Sequence, residues 1–140
     1  MKTKVTEKER EDLHSLRQAE AQLESIKGMV AALKAAIEED NNRNREDAEQ
    51  AIQEDALSVE VRSGWYSPGA TDGTEKPGEF TILLCTGGPA CRIIGKLSEH
   101  GEPENARIEH QDWGTPWTEM RISAEDEIIL VEYCRQFYFG

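Results

Sequence analysis

The hexapeptide LSVEVR, residues 57–62, marks the place where the apolar period of this chain changes. Leu57, Val59 and Val61 alternate with Ser58, Glu60 and Arg62. Successive side chains of a strand point to opposite faces, so this is a strand with one buried face. Upstream, apolar residues recur every three or four positions. Downstream, they recur every two or run together in short stretches between Gly- and Pro-rich turns. The chain therefore divides into a helical segment, residues 1–56, and an α+β module, residues 57–140.

Working back from LSVEVR, the segment from Asn44 to Leu57 places Ala48, Ala51, Ile52 and Ala56 at helical spacing, behind the polar break Asp40-Asn41-Asn42. Before that break a longer helix carries a heptad seam, with Leu16, Leu23, Val30 and Ile37 at one core position and Ala19, Ile26 and Leu33 at the other. Thr6 and Glu9 fit a capping box at its start. Residues 7–39 would extend for about 50 Å at a rise of about 1.5 Å per residue. Such a stripe must be buried against something. A dimer through the seam is the expectation, with a hairpin or docking on the C-terminal module as the alternatives. Gln22, Lys27, Met29 and Lys34 beside the seam form no complementary charge code that would decide between them. The stripe widens through Met29 and Ala36, as for a helix that touches more than one neighbour.

Working forward, SGWYSPGATDGTEKPG is a loop, and EFTILLC (79–85) is a central strand, apolar on both faces. Gly87-Gly88-Pro89 turns the chain into a partner strand over residues 90–97, EHGEPEN forms a second turn, and residues 106–111 form a further strand. Residues 117–122 read as a short fifth. Ser123 then caps a last helix, with Glu125, Asp126 and Glu127 in the first turn, where carboxylates complement the positive helix end. The expected architecture is α+β: a long coiled-coil-like N-terminal helix, then an antiparallel sheet of four or five strands with a C-terminal helix packed on it. In QDWGTPWTE (111–119) the Gly-Thr-Pro is expected to turn the chain. Trp113 and Trp117 are expected to pack the sheet against the last helix.

Composition narrows the function classes. A formal charge of -12, spread over both halves of the chain, opposes direct binding to nucleic-acid phosphates or to anionic membrane, and favours a basic protein surface as partner. No apolar run reaches the ~18 residues of a membrane span, and MKTKVTEKERED lacks the apolar core of a secretory signal. The cytoplasm is the expected location. Cys85, Cys91 and Cys134 show no CxxC spacing, and His14, His100 and His110 do not complete a zinc set with them, so buried reduced thiols are expected. No metal or other cofactor is expected.

An acid/base pair could be drawn from Glu109, His110, Asp112 and Glu119, but adjacent strand residues point to opposite faces and would need a cleft to converge. TGGPA lacks the lysine and the following helix of a phosphate-binding loop, and reads as a turn. Trp65 and Tyr66, in a polar loop, are the best anchors for a partner, with Asp72, Glu75, Glu102 and Glu104 supplying acidic surface.

VRSGWYSPG (61–69), the continuous run 79–119 that contains TGGPACRIIGK and QDWGTPWTE, and the closing YCRQFYFG together resemble a family of small uncharacterised proteins encoded by bacteriophages and prophages. The resemblance covers about residues 57–140 and assigns no activity to particular residues. It implies an accessory protein that binds and blocks a host protein in the bacterial cytoplasm. Anti-CRISPR proteins are the best-known class of that kind, and some of them imitate the charge of nucleic acid. The expectation is a non-enzymatic inhibitor of a host protein, such as a component of a nucleic-acid-handling complex. The competing expectations are a virion assembly protein with a helical stalk, and a small enzyme or ligand-binding fold using residues 109–119.

Overall fold

The computed structural model describes residues 7–69 and 76–140, with side chains in the first helix from residue 14 onward. Helix α1 (Glu7–Glu38) is followed by α2 (Asn42–Asp55), strands β1 (Ser58–Ser63), β2 (Pro77–Cys85), β3 (Ala90–Lys96), β4 (Arg107–Gln111) and β5 (Thr118–Met120), and helix α3 (Ala124–Cys134). The Thr6–Glu9 capping box lies outside the described residues, as do Asp72 and Glu75.

The two first helices form a hairpin. Asp40 takes a left-handed backbone (φ 53°), a conformation that aspartate tolerates better than most residues. The amides of Asp40 and Asn41 donate back to the carbonyls of Ile37 and Ala36 at 3.1 Å. Asn41 then caps α2, its side chain accepting from the Asn44 amide at 3.0 Å. Ile52 is the residue of α2 that is fully buried, so one side chain anchors that helix against α1.

The five strands form an antiparallel meander in the order β1-β2-β3-β4-β5. Its register aligns one apolar row across all five strands: Val59 opposes Ile82, Ile82 opposes Ile93, Ile93 opposes Ile108, and Ile108 opposes Met120. Above that row, Phe80 opposes Gly95. The other face carries a polar ladder, in which Arg92 pairs with Glu109 at 2.8 Å and Arg107 lies between Glu109 and Glu119 at 3.8 and 3.9 Å. Arg62 pairs with Glu79 at the β1 end.

The apolar face is covered by α1, which lies against β3 and β4, with α2 and α3 packed on its flanks. One cluster of buried residues runs from Ala19, Ile26 and Val30 through Ile82, Ile93 and Ile108 to Leu130 and Tyr133. The helical segment and the α+β module thus share a single core, and residue 57 is a change of secondary structure within it. The intramolecular alternative accounts for the seam. Ala19, Leu23, Ile26, Val30 and Leu33 are buried inside one chain and Leu16 is half-buried, while Ile37 is 48% exposed. The seam is therefore spent on the chain's own sheet and helices, and a second copy could reach it only if this core opened.

α3 begins where expected: the Ser123 hydroxyl accepts from the Asp126 amide at 3.1 Å. Leu130, Tyr133 and Cys134 face inward. The Tyr133 hydroxyl donates to Asp55 at 2.7 Å, and Lys27 reaches Asp126 at 3.1 Å, so α3 is tied to both helices of the hairpin. The chain then folds back, and Phe139 stacks on Phe80 with ring centroids 4.8 Å apart.

The tryptophans depart from expectation. Trp113 is 81% exposed, and Trp117 lies on the polar sheet face beneath the Arg92 guanidinium, 4.1 Å from its ring centroid. The loop between β4 and β5 holds itself: the Asp112 amide donates to the Thr115 hydroxyl at 2.9 Å, that hydroxyl donates back to the Asp112 carbonyl at 3.0 Å, and Gly114 supplies the positive φ of 76°. Its local bonds orient the indoles outward, and Phe80, Tyr133 and Phe139 fill the core in their place. Trp113→Ala is therefore expected to change stability by less than about 0.5 kcal/mol, as measured by urea unfolding.

Candidate functional site

Of the partner-binding residues read from the sequence, the four that are described, Trp65, Tyr66, Glu102 and Glu104, fall at one end of the sheet. β1 and β3 run parallel within the meander, so the segment after Ser63 and the turn after Lys96 emerge on the same side. Trp65 is fully exposed and Tyr66 is 55% exposed. Glu102 and Glu104 are exposed on the neighbouring turn, which is pinned by the Ser98 hydroxyl accepting from the Glu102 amide at 3.2 Å and by the Glu104 amide donating to the Lys96 carbonyl at 2.8 Å. Trp65 itself borders a hollow of about 570 Å³ that also holds Arg62, Glu79 and Lys96. The immediate surroundings of the indole are thus mixed in charge. Arg62 holds the Glu79 carboxyl below the usual carboxylate range.

The residues from which an acid/base pair could be drawn divide between the two faces of the sheet, and two of them, His110 and Glu119, line one cleft. Glu109 and Glu119 oppose each other on the polar sheet face, while His110 and Asp112 are buried on the helix side. There they meet α1: the Ser15 hydroxyl shares a hydrogen bond with His110 Nδ1 at 2.7 Å, and the Ser15 amide donates to Asp112 at 3.3 Å. All three are buried, so these bonds fasten the first turns of α1 to the end of β4 and satisfy polar groups that would be costly to bury alone.

The cysteines carry raised pKa values. Burial, reinforced by the adjacent Cys85, pushes the Cys91 thiol up to about 12; burial raises Cys134 further and raises half-buried Cys85 as well. A thiol reacts as its thiolate. Native protein at pH 8 should therefore leave Cys91 and Cys134 unlabelled by a chromogenic disulfide reagent until denaturant is added. Rapid labelling of either in the native state would contradict this arrangement.

One concavity was not legible in the sequence. A cleft of about 1040 Å³ separates α1 from β5 and the start of α3. Leu16 and Leu23 on α1, Met120 on β5 and Ile122 just after it give it an apolar floor. Glu20, Glu24, Glu119 and Asp126 stand around it with Lys27 and Arg121, and His110 and Thr118 complete the wall. Lys27 bridges Glu24 at 3.3 Å and Asp126 at 3.1 Å, closing one end. Its residues come from four elements, α1, β4, β5 and α3, so the signal exists only once α1 is laid on the sheet.

Among the described residues, no three His, Cys, Asp or Glu side chains are grouped as a metal site, and no helix is long and apolar enough to cross a membrane. Comparison with models of protein families, with curated proteins and with solved structures finds no match for the chain.

Proposed function

We propose that the protein is a non-enzymatic binding protein whose target presents a basic surface. In the setting implied by the phage-protein resemblance, it binds and inhibits a host protein, in the manner of an anti-CRISPR whose acidic surface competes with nucleic acid. The observation that supports this reading is where the aromatic bulk lies. Trp65 and Trp113 are exposed in polar turns, and Trp117 sits half-buried on the outer sheet face. Large aromatics left on the surface are characteristic anchors of interfaces, because they desolvate much area for little lost side-chain freedom. The overall charge of -12 would steer such a surface toward a cationic partner.

The experiment is recovery of the partner on immobilised protein from host lysate. A nucleic-acid-handling protein should be retained at low salt and released at high salt, because exposed charge pairs are screened beyond a Debye length of about 8–10 Å near physiological ionic strength. W65A/Y66A should fold normally and weaken the recovered complex by about 2 kcal/mol or more. Retention indifferent to both salt and W65A/Y66A would overturn the proposal.

A further inference from the structure

Resting on that reading, we propose that the cleft between α1 and β5 is the recognition site for an extended partner segment. The segment adds to the sheet as a sixth strand and carries apolar side chains at alternating positions with lysine or arginine between them.

The strand edge is the first reason. β5 is the last strand of the sheet, so among the described residues its outer edge has no strand neighbour. Six consecutive residues line the cleft, Thr118–Met120 of β5 and residues 121–123 that follow it. Side chains of a strand alternate between faces, so a continuous run along one wall means that the strand edge itself, with its backbone donors and acceptors, borders the cavity. An extended peptide laid there would take main-chain hydrogen bonds from β5 and send alternate side chains into the pockets beside it.

The floor and the rim are the second reason. Side chains on the core face of an added strand would meet Leu16 and Leu23 across the cleft and Met120 beside it. Carboxylates in the lining outnumber cations four to two, and Glu20 and Glu24 are exposed on the α1 wall, so a cationic segment complements the site. The wall from Leu16 to Lys27 is about 16 Å long at 1.5 Å per residue. That matches about five residues of extended chain at 3.3 Å each. The Lys27–Asp126 bridge ends the groove, limiting the ligand to a short segment.

The test is a selection from displayed random heptapeptides on the full chain, followed by titration of the selected peptide while backbone amide signals are recorded. The expected consensus alternates apolar and basic residues, and the amides that shift are those of 118–123 and of the α1 wall. Methylating alternate peptide nitrogens should weaken binding at least tenfold, as should E20K/E24K, which alters only exposed side chains. An acidic or non-alternating consensus would overturn the proposal. So would a bound peptide that is helical, shifts confined to the Trp65 end, undiminished binding of the N-methylated peptide, or concentration-dependent shifts of 118–123 without peptide, which would place a second copy in the cleft. A host partner lost by W65A/Y66A but retained by E20K/E24K would leave the binding function standing and remove this cleft from it. Loss of the heptapeptide and the host partner alike in E20K/E24K would support both.

Discussion

Ile26→Ala is expected to lower the unfolding free energy by about 2–5 kcal/mol, the cost of deleting a fully buried aliphatic side chain and leaving a cavity. Ile26 is fully buried within the single chain. Its partners on the sheet and on α3 belong to the same molecule, so the loss should be the same across a roughly hundredfold range of protein concentration. A seam shared between two chains would behave otherwise, since a dimer gains stability with concentration by mass action. Ile37 offers an internal control. It occupies the same heptad position as the buried Val30, yet is 48% exposed, and Ile37→Ala should cost well under half as much. An Ile26→Ala defect that deepens on dilution, or equal costs at 26 and 37, would restore the intermolecular coiled coil.

Gly95→Ala should cost about 3 kcal/mol, the upper part of the usual range for overpacking. A Cβ at residue 95 would strike the carbonyl oxygen of Asn105 deep inside van der Waals contact, and the Phe80 ring at 2.8 Å. Neither neighbour can give way cheaply. Asn105 is held by its own side chain, which accepts from the Lys96 amide at 2.9 Å, and Phe80 is backed by Phe139. Phe80→Leu in the Gly95→Ala background should relieve the ring contact and leave the carbonyl contact. Full recovery of the thermal midpoint in that double variant would mean that the clash with the Asn105 backbone is not the cause.

Much of the fold was legible because local periodicity is a local property. The alternation at 57–62 appears as β1, the run from Glu79 to Cys85 as the body of β2, and Ser123 with its three following carboxylates as the cap of α3. The seam was legible as a buried stripe, but its partner was not. A heptad repeat drifts by only about 20° per heptad from the natural pitch of a helix. Over just over three heptads, the stripe that zips to another helix and the one that lies on a sheet are therefore nearly the same residues. Choosing between them needs the sheet to exist first, with Ala19 small enough for close approach and Ser15 placed to meet His110.

The candidate site divides in the same way. Trp65, Tyr66, Glu102 and Glu104 were legible as exposed groups because polar, Gly- and Pro-rich turns run over the surface. Trp113 and Trp117 were not, because bulk alone argued for burial; it was the Asp112–Thr115 loop and the Arg92 guanidinium that held them outside. The sequence by itself determined the elements, their order, the helix stops and the excess of negative charge, all set by interactions a few residues apart. Only the tertiary structure decided what the α1 stripe covers, that one core joins both segments, and that an apolar cleft with an acidic rim lies beside the free edge of β5. Those features depend on contacts between residues as far apart as Ser15 and Asp112, which no local pattern encodes.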